Sequence, residues 1–128
     1  MPSDLSVEWD DDCRLLVQHR LQRRSDFQEI YKNGRSLETR FFVLYYRQNA
    51  YSCHRLGITA SRKIGSAVTR NRVKRLFREI FRRNRPLGPV FLDIVINARK
   101  IAASATYSDL EHVYRAAVVQ IIRKIPPS

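Results

Sequence analysis

Acidic residues are scarce in this chain: Asp and Glu number 12 against 24 Lys and Arg, which leaves a net charge of +12 at pH 7. The scarcity is uneven. Asp4, Glu8, Asp10, Asp11 and Asp12 all precede the first base, Arg14, so residues 13–128 hold 24 bases and 7 acids, a net +17. A field of that sign and density calls for a polyanionic partner, either nucleic acid or an anionic membrane. Long apolar runs are also missing. The longest, Phe41 to Tyr46, is far short of the roughly 20 residues that span a bilayer. The acidic N-terminus lacks the apolar core of a secretory signal. The expectation is a cytoplasmic protein without a membrane partner.

The residues of protein-borne catalysis are sparse too. Cys13 and Cys53 are the only cysteines; they could pair once, and in a reducing compartment they stay thiols. His19, His54 and His112 show no ligand spacing, alone or with the cysteines, so no metal site is expected. Four glycines leave no GxxxxGK[ST], GxGxxG or GxSxG motif. Of the seven acids beyond the N-terminal cluster, Asp26, Glu29, Asp109 and Glu111 fall in expected first helical turns, where they suit the helix dipole. No catalytic side chain is expected.

What is present suffices for one domain. A chain of 128 residues with 44% hydrophobic content can bury a real core. Residues 1–18 are acidic and without period, and read as a mobile extension; the alternative is that these acids fold back and mimic a nucleic acid. Residues 19–128 form the domain. Ser25 with Gln28 fits a capping box for a helix Asp26 to Asn33, ended by Gly34 in the left-handed conformation. Arg35 to Glu38, Arg40 to Gln48 and Arg55 to Ala60 read as strands. The second is apolar on both faces over most of its length and should be covered on both sides. Val90 to Asn97 is a fourth strand. Ser108 with Glu111 suggests a capping box for a last helix, whose stripe runs Leu110, Val113, Tyr114, Ala117, Val118, Ile121, Ile122, Ile125. The order is α-β-β-β-α-β-α, an α+β domain with helices on one four-stranded sheet.

Between the third and fourth strands lies the stretch from Ser61 to Arg83. A short loop enters a helix with Ser66 as its N-cap. Val73, Leu76, Phe77, Ile80 and Phe81 make a buried stripe. From Arg62 to Arg85 there are ten Lys or Arg and one acid, Glu79. A charge run is ordinarily a solvated face. Three features point further: the face would repel itself without a partner, its arginines suit two-point phosphate contacts, and a helix N-terminus attracts anions. Neutralising about six phosphates predicts a log–log salt slope of roughly −5 on a duplex. A DNA-reading helix-turn-helix would need a second helix just before this one, where strand and loop stand instead. Phe27 and Tyr31 on the first helix, with Val43 and Tyr45 on the neighbouring strand, offer a stacking surface for single-stranded bases. The pair of surfaces favours folded RNA with a single-stranded tail over DNA.

Ser61-Arg62-Lys63-Ile64-Gly65, Ala67-Val68, Arg70-Asn71-Arg72 and Lys74-Arg75 together resemble the signature of the protein subunit of bacterial ribonuclease P. Arg24 to Phe27, Phe42-Val43-Leu44 and Ala98-Arg99-Lys100 add to the match, which runs from about Arg20 to Lys124. The resemblance implies a left-handed βαβ crossover through the basic helix, against the usual rule. It implies 5′ maturation of precursor transfer RNA by a catalytic RNA with bound magnesium, assisted by the protein. By that resemblance Arg62, Lys63, Arg70, Asn71, Arg72, Lys74, Arg75 and Arg78 would face the catalytic RNA. Phe27, Tyr31, Val43 and Tyr45 would line a cleft for the 5′ leader; related proteins often carry phenylalanine where this chain has Tyr31. The acidic extension has no counterpart. The runner-up is a non-enzymatic RNA-binding protein, ribosomal or chaperone, and a DNA-binding regulator is a third class.

Overall fold

A computed structural model describes residues 7–10, 19–51, 53–87 and 90–125. The elements are α1 (Arg24–Asn33), β1 (Arg35–Glu38), β2 (Phe42–Gln48), β3 (Arg55–Thr59), α2 (Ala67–Arg83), β4 (Leu92–Ala98) and α3 (Tyr107–Lys124), with single 3-10 turns at Arg62–Ile64 and Lys100–Ser104. The sheet order is β1-β2-β4-β3. β1 and β4 flank β2 antiparallel, and β3 runs parallel to β4. The parallel pair needs a crossover, and α2 supplies it.

Side chains alternate between the two faces of each strand. On one face Phe42, Leu44 and Tyr46 of β2, Leu92, Ile94 and Ile96 of β4, and Leu56 of β3 are buried under α2 and α3. Val73, Phe77, Ile80 and Phe81 come from α2; Leu110, Tyr114, Val118 and Ile121 come from α3. Phe42 and Phe77 meet edge to face, 5.4 Å between ring centroids. On the other face the buried apolar cluster among the described residues is Leu21, Ile30 and Val95, with Phe27 and Tyr45 packed beside it. Coverage on both sides of β2 is therefore real but unequal.

The helix ends differ from the sequence reading in three places. α1 begins at Arg24, and Arg23 caps it with no side-chain hydrogen bond, so the Ser25–Gln28 box does not form. Gly34 is extended, at φ −84° and ψ −179°, not left-handed. Glycine is required there by space: a Cβ would lie 2.5 Å from the Ile30 carbonyl oxygen and 2.7 Å from that of Tyr46. α3 starts at Tyr107 with Thr106 and Asp109 as its capping box, two residues before the expected one. Glu111 is thereby free to accept from Asn84 Nδ2 at 2.8 Å and from the Tyr107 hydroxyl at 3.3 Å. Asn84 also donates to the Ile80 carbonyl at 2.8 Å and accepts from Arg115, so it closes α2 and ties it to α3. Ser66 caps α2 as expected, accepting from the Thr69 N–H. β2 begins at Phe42, because Thr39 turns back to bond the Phe42 backbone. β4 runs Leu92–Ala98, and the Leu92 N–H goes to His54 Nδ1 at 3.0 Å.

Part of the acidic segment read above as a mobile extension is held against the body. Trp9 bridges Pro86 antiparallel, Asp10 N–H donates to the Arg85 carbonyl at 2.7 Å, and Leu87 N–H donates to the Glu8 carbonyl at 2.9 Å. Val7 is buried, and the Arg115 guanidinium sits 4.4 Å over the Trp9 ring. Residues 1–6 and 11–18, with Cys13, lie outside the described residues. No helix of the described residues is long and apolar enough to cross a membrane.

Candidate nucleic-acid interface

α2 turns its apolar stripe to the sheet and leaves its cations outward in two groups. Near its end Glu79 accepts from Arg82 and, at 2.9 Å, from Arg83. These hydrogen bonds hold the Glu79 carboxyl below its usual range. The C-terminal turn is thus locally compensated. Toward the N-terminus, Asn71, Arg72, Arg75 and Arg78 are exposed and Arg70 and Lys74 half-buried, with no carboxylate paired to any of them among the described residues. Arg62 and Lys63, exposed on the 3-10 turn before α2, continue this surface. Gly65 links turn to helix at φ +149°, a conformation that favours glycine.

The eight cationic and amide candidates do not form one patch of equal members. Lys74 and Arg78 line a cleft of about 160 Å³ with Arg20, Gln22, Phe27 and Ile58, at the outer edge of β3, where Arg20 bridges Leu56. Arg72 turns the other way and donates to the carbonyls of Ala103 and Ala105 at 3.3 and 3.5 Å. Among the described residues nothing pairs with Arg75.

The thin face of the sheet holds the aromatic candidates. α1 has only ten residues and covers the middle of this face, not its ends. Tyr31 is 38% exposed; its ring meets that of Tyr45 edge to face at 4.8 Å. Its hydroxyl donates to Asn97 Oδ1 at 2.9 Å, and Thr59 Oγ1 donates to the same oxygen at 2.7 Å. Val43 stands opposite Asn97 in the register, half-buried. The structure therefore brings Tyr31, Tyr45 and Val43 beside a polar row of Asn97 and Thr59. Phe27 is placed differently: it packs edge-on over β3, where a Cβ on Gly57 would lie 2.5 Å from its ring. Asn97, Thr59 and Gly57 were not singled out from sequence. The alternation Asp93, Val95, Asn97 in β4 was the available signal.

At the other end of this face, across α1, sits a charge cluster. Asp93 is fully buried. It accepts from Arg55 Nε at 2.8 Å, Arg47 Nε at 3.0 Å and Asn49 Nδ2 at 2.8 Å, joining the ends of three strands. Burial alone would raise its carboxyl; the hydrogen bonds from Arg55, Asn49 and Arg47 outweigh it and hold the group below its usual range. Arg55 also stacks on Tyr51 at 4.2 Å. His54, buried behind this row, donates from Nε2 to the Pro86 carbonyl at 2.6 Å while accepting at Nδ1. Burial pushes its pKa down, so it is a neutral structural group. Among the described residues no group of three His, Cys, Asp or Glu could hold a metal ion. What the arrangement offers is exposed cations of a kind that suits phosphate, and rings beside amide and hydroxyl groups.

Comparison with known proteins gives a consistent result. The family model for ribonuclease P matches residues 15–122. The ribonuclease P protein component of Staphylococcus epidermidis is 45% identical over 106 residues, spanning 79% of this chain and 91% of its own length. A mutant Staphylococcus aureus RNase P protein superposes with a TM-score of 0.73 at 36% identity, covering 83% of this chain and 89% of that one. The Thermotoga maritima RNase P protein gives 0.69 at 36% identity, covering 84% and 97%.

Proposed function

This chain belongs to the ribonuclease P protein family, and from that premise we propose that it is the protein component of a ribonucleoprotein that removes the 5′ leader of precursor transfer RNA. In this reading the protein is part of an endoribonuclease whose catalyst is the RNA subunit. The cations from Arg62 to Arg78 dock on that RNA, and the Tyr31–Tyr45 cleft holds the single-stranded leader. The observation that carries the proposal is the pair of surfaces: uncompensated cations on α2 and its entry turn, and the partly exposed Tyr31–Tyr45 pair of α1 and β2, which meet where Phe27 lines a cleft with Lys74 and Arg78. One protein can then grip a catalyst and a substrate at once.

Magnesium belongs to the RNA in this scheme. Asp93 is enclosed by arginines and Glu79 is held by Arg82 and Arg83, so these two carboxylates do not suit it. The protein's contribution is charge and positioning. Reconstitution tests the proposal. Purified protein added to a bacterial ribonuclease P RNA and a precursor transfer RNA at low magnesium is expected to raise the rate of 5′ cleavage; no stimulation would overturn the reading. Salt-labile binding to that RNA, with no preference for any DNA duplex sequence, is the companion result.

A further inference from the structure

Arg72 and Arg75 are equivalent in sequence: both lie off the apolar stripe of α2 and both are exposed. The structure separates them. The Arg72 guanidinium forks onto two carbonyls, Nη1 to Ala103 at 3.3 Å and Nη2 to Ala105 at 3.5 Å. Those carbonyls close the 3-10 turn Lys100–Ser104 and lead into Thr106, the N-cap of α3. The turn is internally bonded, Ala102 N–H to Arg99 and Ala105 N–H to Ala102, and anchored by the fully buried Ala102. It packs against the turn Arg62–Ile64. Its first residue, Lys100, is exposed, and among the described residues no acid pairs with it, whereas the neighbouring Arg99 is paired with Glu38 at 3.1 Å. Ala98-Arg99-Lys100 thus gains a location: it brings one uncompensated lysine to the side of the protein where Arg62 and Lys63 stand.

A guanidinium is a planar fork that satisfies two acceptors at fixed spacing; an ammonium carries the same charge without that geometry. We propose that Arg72 is a positioning residue, which clamps the Lys100–Ser104 turn beside the Arg62–Ile64 turn so that Lys100 acts as a further phosphate contact. The proposal rests on the reading that this surface binds RNA, and it assigns different jobs to two arginines only about one-sixth of a turn apart around the helix: Arg75 meets phosphate, Arg72 builds the surface that does.

The test uses the full chain and two probes, a bacterial ribonuclease P RNA and a plain RNA duplex of about 20 base pairs, titrated across salt. Arg75→Lys keeps the charge and is expected to lose clearly less affinity than Arg75→Ala, while Arg72→Lys falls about as far as Arg72→Ala, near tenfold. Lys100→Ala should lower the log–log salt slope by about 1 in the native background. In the Arg72→Ala background it should change almost nothing, and in the Arg75→Ala background its effect should add in full. Amide exchange supplies a readout free of RNA: Ala102 and Ala105 exchange faster in Arg72→Ala and Arg72→Lys but not in Arg75→Ala. Retained affinity in Arg72→Lys, or additivity of Arg72→Ala with Lys100→Ala, overturns the proposal. The ribonuclease P reading fails separately: the coupling would persist on the duplex, with no preference for the ribonuclease P RNA and no stimulated cleavage.

Discussion

The two faces of the sheet are built on different principles. The face under α2 and α3 is closed by size: seventeen- and eighteen-residue helices bury Phe42, Leu44, Ile94 and Ile96 completely. The face under α1 is closed in the middle only, by Ile30 and Val95, and its two ends are polar. One end is finished with charge, Asp93 among Arg47, Arg55 and Asn49. The other is left open, with Tyr31 and Tyr45 beside Asn97 and Thr59. A full-length helix there would have stabilised the domain and covered the rings. The short one leaves aromatic surface available, which is where binding residues belong when a rigid core supports them.

Substitutions should expose that contrast. Phe77→Ala, at the centre of the closed face, is expected to cost about 4 kcal/mol, the transfer term plus a cavity that packed neighbours cannot fill. Urea unfolding measures it; a loss under about 1 kcal/mol would mean the closed face is not the core. Asp93→Asn comes next, at about 3 kcal/mol, because it strands two arginines. Both arginine side chains keep some solvent, 13% for Arg55 and 27% for Arg47, so the loss should sit at the low end of the range for broken buried pairs. The pH dependence has a definite sign. The Asp93 carboxyl is held below its usual range in the fold, so its contribution is complete above about pH 4 and is lost as pH falls through the folded value. The difference between native protein and Asp93→Asn should therefore shrink toward pH 2. A constant difference from pH 7 to pH 2 would show that the arginines do not depend on its charge.

The same contrast explains what was legible in the sequence. Among the described residues the sequence reading found each α-helix and strand but not the 3-10 turns Arg62–Ile64 and Lys100–Ser104; α2, α3 and β2 each carry an apolar pattern that only one packing satisfies. Cap positions were less secure. Thr106 with Asp109 and Ser108 with Glu111 overlap; the structure uses the first, which leaves Glu111 to accept from Asn84 at the end of α2. Gly34 ends α1 as expected, but in an extended conformation, and the Ile30 and Tyr46 carbonyls are what exclude a side chain there. The cations of α2 were plain from composition, while the division between Arg72 and Arg75 depends on carbonyls some thirty residues away. The aromatic candidates were read from the residues and again from family resemblance, but ring content alone does not say which ring is left uncovered. Docking of Val7 and Trp9 on the Arg85–Leu87 segment was hidden under their acidic neighbours.

On the open face, function should move more than stability. Tyr45→Ala removes a half-buried ring from the smaller cluster and is expected to cost about 1 kcal/mol of folding stability. If the ring stacks on a leader base, the same change should weaken binding of a leader-bearing precursor by about tenfold, within the range for one base–aromatic contact. Mature transfer RNA, which has no leader, should bind as before. Equal loss for both RNAs would remove Tyr45 from the cleft.

Tyr31→Phe is the finest cut. The ring stays, edge to face with Tyr45, and only the hydroxyl that donates to Asn97 is lost. Asn97 Oδ1 keeps a donor in Thr59, so no acceptor is stranded, and the expected cost is at most about 0.5–1 kcal/mol. If the ring face does the binding, leader affinity should change by less than about twofold. Tyr31→Ala, by contrast, should lose affinity as Tyr45→Ala does. A Tyr31→Phe protein that folds normally and loses leader affinity would mean that the hydroxyl, with Asn97 and Thr59, reads the leader by hydrogen bonding. The open end of the sheet would then be a polar recognition row with rings beside it, and the contrast between the faces would lie in chemistry more than in coverage.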